Sequence, residues 1–240
     1  MEHECPILVT GAGRRVGLHV LNRLVERGYS VIAHYRTKTD AVVALERRGI
    51  GVFYADLNEP ESVLQMTHNI RQAYTGLRGI LHNASAFEVT QDTLQAALVQ
   101  YQLFFQVHMV APYIINTELQ PLLAKSVHQP ADIIHITDIY AERPNPMYDI
   151  YCSTKAGLAN LTKSLAKSLA PGIKVNAIAP GPILFLETHS AAYRQAVLDK
   201  TPLQVEGSAE AIYLAVQSLL DNPFMTGSTI TVDGGRFLSE

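Results

Sequence analysis

The chain has 240 residues, which suits one well-packed α/β domain, and its hydrophobic content of 48% excludes a mainly disordered protein. A net charge of -3 gives no electrostatic basis for binding nucleic acid or an acidic membrane surface. Cys5 and Cys152 have no metal or redox spacing, so we expect a reducing, cytoplasmic compartment. We expect no signal peptide at Met1 to Pro6, no membrane-spanning segment and no bound metal.

Short apolar runs typical of strands alternate with segments of helical periodicity. The predicted strands are Ile7–Val9, Ser30–Tyr35, Gly51–Tyr54, Gly79–His82, Asp132–Thr137, Lys174–Ile178 and Ser228–Val232. The predicted helices are Val16–Arg27, Asp40–Arg48, Glu61–Tyr74, Tyr148–Leu169 and Ala209–Leu220, with helical stretches between Thr93 and Leu123. This alternation predicts a Rossmann-like α/β fold: a doubly wound parallel sheet of about seven strands with helices on both faces, in one domain over residues 1–240. Ligands of such folds bind beyond the carboxyl ends of the strands.

A glycine-rich turn follows the first predicted strand and opens a helix. It reads Thr10-Gly11-Ala12-Gly13-Arg14-Arg15-Val16-Gly17. Glycines at such a turn let backbone N–H groups approach a pyrophosphate at the helix N-terminus. We predict cofactor contacts for Gly11, Arg14, Arg15, Val16 and Gly17, and a plain tight turn is the alternative.

The end of the second strand indicates which nicotinamide cofactor is used. An acidic residue there would bind the adenosine ribose 2′-hydroxyl, but the sequence is Tyr35-Arg36-Thr37-Lys38. Arg36 can pair with a 2′-phosphate and Thr37 can hydrogen-bond to it, while Lys38 adds positive charge or is simply solvated. We therefore predict NADPH, with Tyr35, Arg36 and Thr37 at its adenosine end.

Tyr151 and Lys155 lie four residues apart on a predicted helix and so share one face. An ammonium beside a phenol stabilises the phenolate and lowers the tyrosine pKa, which makes the hydroxyl a better proton donor. The same ammonium can hold the nicotinamide ribose. Tyr148 has no lysine four residues later, so Tyr151 is the better candidate.

Together these motifs resemble the short-chain dehydrogenase/reductase family over essentially the whole chain. Arg15 stands where the family has the middle glycine of the first loop, and the stretch His82-Asn83-Ala84-Ser85 resembles the family's Asn-Asn-Ala-Gly segment with Ser85 in place of glycine. The resemblance implies a homotetramer that packs through the helices around Gln102–Leu122 and Tyr148–Leu169. It also implies cofactor contacts at Asp56, Leu57, Asn83, Ala84, Ser85, Pro180, Gly181 and Ile183. For Asp56 the alternative is an acid that caps a turn.

Asp138 departs from the family pattern, in which a serine near this position binds the substrate carbonyl. An ionised carboxylate would repel the oxyanion formed when a ketone or aldehyde is reduced. A pterin offers an N5=C6 imine and several ring N–H groups instead. A carboxyl group can accept hydrogen bonds from those nitrogens or, when protonated, assist protonation of N5.

The chain thus resembles the pteridine reductase branch, and within it the bacterial dihydromonapterin reductases. The resemblance implies that Phe87 stacks on the pterin, that Asp138 and Tyr151 share proton delivery, and that Arg15 bridges phosphate and substrate. The expected substrate is a 7,8-dihydropterin, foremost dihydromonapterin, with dihydrobiopterin and dihydrofolate as further candidates. The alternatives are a loop-capping role for Asp138, simple packing for Phe87 and a purely cofactor-binding role for Arg15.

His108 stands where the family has an asparagine that supports a proton-relay water, and it is expected either to replace that relay or to be a satisfied buried histidine. Residues Pro182 to Val205 are expected to form the substrate lid. Two other functions compete with a pterin reductase. A carbonyl reductase would not need Asp138, and a non-catalytic NADPH-binding regulator would not need both Tyr151 and Lys155.

Overall fold

The computed structural model describes residues 5–239. In this part of the chain, seven strands form one parallel sheet in the order β3-β2-β1-β4-β5-β6-β7. They are β1 Ile7–Val9, β2 Val31–Tyr35, β3 Gly51–Tyr54, β4 Gly79–His82, β5 Ala131–Ile136, β6 Ile173–Pro180 and β7 Thr229–Val232. The predicted doubly wound fold is confirmed.

Within residues 5–239, eight α-helices connect and cover the strands. They are α1 Arg15–Glu26, α2 Asp40–Arg47, α3 Pro60–Ala73, α4 Leu94–Phe105, α5 Ala111–Leu123, α6 Asp149–Leu169, α7 Ala191–Asp199 and α8 Ala209–Asp221. A π-helical turn, Gln106–Val110, joins α4 to α5, and short 3₁₀ turns lie at Ile139–Ala141, Pro146–Tyr148 and Arg236–Leu238. No helix among residues 5–239 is long and apolar enough to cross a membrane.

Each face of the sheet buries its own apolar core. On one face α1 and α8 contribute Leu21, Leu24 and Leu219, and on the other α3 and α5 contribute Ile70 and Leu119. The doubly buried strands explain the continuous apolar runs of the sequence. The strand order reverses between β1 and β4, which opens a crevice at the carboxyl edge of the sheet where ligands bind in such folds.

A buried ion cluster anchors the opposite, amino-terminal edge. The Asp132 carboxylate at the start of β5 pairs with Arg78 and lies 3.0 Å from the Lys174 ammonium. Both cations also reach the end of α8: Arg78 donates to the carbonyl of Leu220, and Lys174 donates to the carbonyl of Asn222 at 2.7 Å. These bonds fasten β4, β5 and β6 to one helix terminus, whose free carbonyls need such donors.

Candidate active site

The loops that follow β1 and β4 are joined by hydrogen bonds at the crevice. The Thr10 hydroxyl accepts from the backbone N–H groups of Asn83 and Ala84, each at 3.0 Å. The Asn83 side-chain amide donates to the Thr10 carbonyl at 3.0 Å. Asn83 and Ala84, both predicted cofactor residues, therefore fix the phosphate loop against the fourth strand.

The phosphate loop requires glycine at two positions. Gly11 has a φ of +66°, and a Cβ at Gly17 would lie 2.4 Å from the Gly11 carbonyl oxygen. The Gly11 N–H donates to His34 Nδ1 at 3.1 Å, and His34 Nε2 donates to the Ala55 carbonyl at 3.1 Å. Burial lowers the pKa of His34 to about 4, so the ring stays neutral. Sequence reasoning did not assign this supporting role to His34.

The N-terminus of α1 suits an anionic ligand. Its capping residue Arg14 makes no side-chain hydrogen bond to the first turn, and no acidic residue lies there. The first N–H groups of a helix have no intrahelical partner and attract phosphate. Arg14 is exposed beside them, Val16 is half-buried and Gly17 is buried. The donor set therefore fits a pyrophosphate.

Arg15 has an unusual backbone and a contact with the predicted lid. Its φ of +50° lies in the left-handed region, which costs a non-glycine residue about 1 kcal/mol. Its Nη2 donates to the Leu184 carbonyl at 2.8 Å. Arg15 therefore links the phosphate loop to the segment that follows β6.

The adenosine end of the predicted site lies at the carboxyl ends of β2 and β3. Arg36 and Thr37 are exposed there, whereas the Lys38 ammonium pairs with Glu46 at 2.8 Å. Arg36 thus remains the better placed cation for a 2′-phosphate. Tyr35 packs edge-on against Tyr54, with ring centroids 5.9 Å apart.

Asp56 and Leu57 follow β3. One Asp56 carboxylate oxygen accepts the backbone N–H of Asn58 at 3.0 Å, the turn-capping arrangement that was its alternative interpretation. Leu57 is buried in the core. On the other side of the crevice, Pro180 ends β6 and Ile183 is buried. A Cβ at Gly181 would meet the Asp233 side chain at 2.6 Å, so this turn also requires glycine.

Asp138 and Tyr151 form a hydrogen-bonded pair. The Tyr151 hydroxyl donates to one carboxylate oxygen of Asp138 at 2.8 Å, and the other oxygen accepts the backbone N–H of Tyr140 at 2.8 Å. The second bond is the loop cap that was the alternative interpretation of Asp138, and the first places its carboxyl group beside the Tyr151 hydroxyl. Lys155 is buried and donates to the Ile136 carbonyl at 2.8 Å.

Burial shapes the electrostatics of this cluster. It raises the pKa of Asp138, and it raises the pKa of Tyr151 well above its usual value, with a further contribution from the neighbouring Asp138 carboxylate. It lowers the pKa of Lys155 to about 8. The net direction of the Tyr151 pKa shift is therefore upward because of burial, while the Lys155 ammonium lies 5.7 Å from the ring centroid and donates to the Ile136 carbonyl.

Phe87 lies directly beside Tyr151. Its ring stacks on Tyr148 at a centroid distance of 4.7 Å and meets Tyr151 edge-on at 4.8 Å. Sequence reasoning set Tyr148 aside because no lysine follows it at the helical spacing. The contact between Phe87 and Tyr148 has no signal in the sequence, since it depends on how two loops meet.

A cavity of about 330 Å³ opens beyond these rings. Its walls include Phe87, Glu88, Gln91, Tyr148, Leu186 and His189. The His189 Nδ1 accepts the Leu186 N–H at 3.3 Å, which leaves Nε2 as a donor. Sequence reasoning missed Glu88, Gln91 and His189 as lining residues.

The segment after β6 contains the short helix α7, which was not predicted within the expected lid. Arg194 on α7 is bound to its own segment, because its guanidinium donates to the carbonyls of His189 and Leu186 at 3.1 and 2.8 Å. The Arg194 guanidinium is therefore occupied by carbonyl groups of its own segment. Among residues 5–239, no group of three or more histidine, cysteine, aspartate or glutamate side chains is placed to hold a metal.

Comparison with known proteins identifies the family. A family model described as Enoyl-(Acyl carrier protein) reductase matches residues 11–236. A dihydromonapterin reductase of Klebsiella pneumoniae is 38% identical over 231 residues, which cover 96% of both chains. One from Citrobacter koseri is 40% identical over 235 residues, which cover 97% of both chains. The chain belongs to the short-chain dehydrogenase/reductase family.

A solved structure agrees with this assignment. FolM alternative dihydrofolate reductase 1 from Brucella canis, complexed with NADP, superposes with a TM-score of 0.88 at 30% identity. The superposition covers 100% of this chain and 96% of the other. The predicted family and its pteridine reductase branch are confirmed, and the chain is an oxidoreductase.

Proposed function

We propose that this enzyme reduces a 7,8-dihydropterin, foremost dihydromonapterin, to the tetrahydropterin with NADPH. The observation that carries the proposal is the hydrogen-bonded pair of Asp138 and Tyr151 beside the Phe87 ring. A carboxyl group at this place suits the protonation of a ring nitrogen better than the stabilisation of an oxyanion. Two similar proteins are named dihydromonapterin reductases.

NADPH is the cofactor predicted from the sequence, and the similar Brucella canis structure contains NADP. When bound, NADPH supplies the hydride that reduces C6 of the pterin. Gly11, Arg14 and the N-terminus of α1 would hold the pyrophosphate, because free N–H groups and a cation meet there. Arg36 and Thr37 would hold the 2′-phosphate. Lys155 would hold the nicotinamide ribose.

Asp138 and Tyr151 deliver the proton to N5. The pKa of Tyr151 is raised well above its usual value, so its hydroxyl keeps the proton that can be donated, and Asp138, whose pKa burial also raises, accepts the hydrogen bond from that hydroxyl. The 2.8 Å bond between them lets either oxygen pass a proton to the other after donation. Solvent then restores the proton to the pair.

Phe87 supplies a flat apolar surface for the pterin ring, which can stack on an aromatic face. The cavity beyond Phe87 and Tyr148 would take the substituent at C6. Its walls carry hydrogen-bonding groups at Gln91 and His189, which suit the hydroxyl groups of a polyol side chain. Arg15 would bridge the cofactor and the lid over the substrate.

The assembly and location are also proposals. A homotetramer is supported by apolar side chains exposed on α4 and α5. These are Leu94, Leu98, Val99, Tyr101, Phe105 and Tyr113. Burial of such a patch in a partner is the usual reason for its presence. A cytoplasmic location is supported by the two free thiols of Cys5 and Cys152.

The test is the initial rate of NADPH oxidation with 7,8-dihydromonapterin, compared with dihydrofolate, a simple ketone and, as cofactor control, NADH. We expect fast turnover with the dihydropterin and NADPH, slower turnover with dihydrofolate and none with the ketone. Reduction of the ketone without reduction of either pterin would overturn the proposal and indicate a carbonyl reductase. Equal rates with NADH would overturn the role of Arg36.

A further inference from the structure

His108 lies in the π-helical turn between α4 and α5, with only 1% of its surface exposed. Single π-helical turns within α-helices often mark functional sites, because the extra residue redirects a side chain. Here the redirected imidazole lies between the loop after β4 and helix α6. Its ring centroid is 5.6 Å from that of Tyr151.

Both ring nitrogens of His108 are engaged. Nε2 accepts the Ala86 N–H at 3.2 Å and lies 2.8 Å from the Ser85 hydroxyl. Since Nε2 is an acceptor, the proton of the neutral ring is on Nδ1, which donates to the Thr154 hydroxyl at 2.8 Å. Thr154 donates in turn to the Tyr151 carbonyl at 2.9 Å. We call this set of contacts the His108 bridge.

The bridge joins two departures from the family pattern. Ser85 stands in place of a glycine and His108 in place of an asparagine, and the two side chains hydrogen-bond to each other. Glycine would offer no hydroxyl, and asparagine is shorter than histidine. The two departures therefore form one structural unit.

The His108 bridge connects the loop that carries Phe87 to helix α6, which carries Tyr151. Ser85 and Ala86 directly precede Phe87, while Thr154 lies between Tyr151 and Lys155 on α6. Movement of the loop by a fraction of an ångström would change the approach of a stacked substrate to the proton donor. Such misplacement weakens productive binding of the substrate even when every reacting group is present.

We propose that His108 is a positioning residue that sets the Phe87 ring relative to the Tyr151 hydroxyl, rather than a proton relay. Burial and the nearby Lys155 ammonium keep the imidazole neutral. Its Nδ1–H donates to Thr154, whose hydroxyl donates to the Tyr151 backbone carbonyl, so this chain of hydrogen bonds ends on a carbonyl and does not lead to the Tyr151 hydroxyl. The inference rests on the proposed function only for the identity of the stacked substrate.

Kinetics of His108→Asn provide the first test. We expect the KM for dihydromonapterin to rise about tenfold, with the NADPH Kd and the shape of the pH profile of kcat unchanged. Because the bridge acts as a unit, adding Ser85→Gly to this variant should cause little further loss. A lowered kcat with an altered pH profile and an unchanged KM would overturn the proposal in favour of a relay.

Two milder variants keep the proposal testable if His108→Asn does not fold. Ser85→Ala and Thr154→Val each remove one hydrogen bond of the bridge at opposite ends. Each should raise the same KM about threefold, as expected for the loss of one hydrogen bond. An unchanged KM in both variants, with intact melting temperatures, would show that the bridge does not position the site.

A spectroscopic test needs no substrate. The protein is labelled with ¹⁵N-histidine, and the His108 signal is assigned as the one that is missing from the spectrum of His108→Asn. We expect this signal to show a neutral ring protonated at Nδ1 throughout the neutral pH range. A ring that titrates in this range, or one protonated at Nε2, would overturn the inference. Because this result does not depend on turnover, failure of the bridge is distinguishable from failure of the proposed pterin activity.

Discussion

Asp138→Asn should separate activity from stability. Asparagine keeps the side-chain oxygen that can accept the Tyr140 N–H, but it cannot hold an acidic proton. Loss of a general acid costs about 100- to 10,000-fold in kcat, which corresponds to about 2.7 to 5.4 kcal/mol in activation free energy. Tyr151 remains as a donor in this variant, although its pKa is raised well above the usual value, so we expect a loss in the lower half of that range.

We expect Asp138→Asn to increase the stability of the protein at neutral pH although it decreases activity. The folded-state pKa of Asp138 is raised above its unfolded value, so the folded protein binds the proton more tightly and loses stability as pH rises through that interval. Asparagine removes the buried charge. The melting temperature of Asp138→Asn should therefore exceed that of the wild type at neutral pH and converge with it at acidic pH.

The assays are the initial rate of NADPH oxidation with dihydromonapterin and thermal unfolding, each across a pH series. In the wild type, kcat should fall as pH rises and the Asp138 and Tyr151 pair loses its proton. If the kcat of Asp138→Asn equals that of the wild type, the role of Asp138 in proton delivery is refuted. A lower melting temperature at neutral pH would refute the electrostatic reasoning, since the removed charge would then have been stabilising.

Three further predictions concern the cofactor, the substrate and the fold. Arg36→Ala should weaken NADPH binding by about tenfold or more without changing NADH binding, whereas the control Lys38→Ala should have little effect on either. Equal losses of affinity for NADPH and NADH in a fluorescence titration of Arg36→Ala would contradict this prediction. Glu88→Gln removes a negative charge from the cavity wall, so it should raise kcat/KM for dihydrofolate, whose glutamate tail is anionic, relative to kcat/KM for dihydromonapterin. Asp92→Asn, which makes the same charge change outside the cavity walls, should leave this ratio unchanged. Gly17→Ala should lower the melting temperature sharply and weaken NADPH binding, because the phosphate loop must open; an unchanged melting temperature would show that the loop tolerates a Cβ.

The strands were the most predictable part of the fold. Buried on both faces, β5 and β6 require continuous apolar runs, and these appear directly in the sequence. By contrast, α7 has no buried residue, so no apolar stripe marked it within the expected lid. The π-helical turn was also not predicted, because α4 and α5 give one continuous helical pattern.

The candidate site was predictable where its residues lie close together in the sequence. It was unpredictable where tertiary contacts join distant segments. Tyr151 and Lys155 share a helix face, and Asp138 follows a strand that ends at the crevice. The stacking of Tyr148 on Phe87 and the contact of Arg15 with the Leu184 carbonyl join distant segments, so no local pattern reports them. The electrostatics also required the structure, since the direction of the Tyr151 pKa shift depends on burial.

The ion cluster at the amino-terminal edge has a consequence for redesign. Asp132 lies near the start of β5 and Asp138 two residues beyond its end, about 20 Å apart at 3.3 Å per residue of extended chain. Effects of substitutions more than about 10 Å apart are usually additive. The loops around Phe87 and Leu186 can therefore be exchanged in a library that seeks new substrates, while Arg78, Asp132 and Lys174 are left constant, because removing one partner would leave a buried charge unpaired.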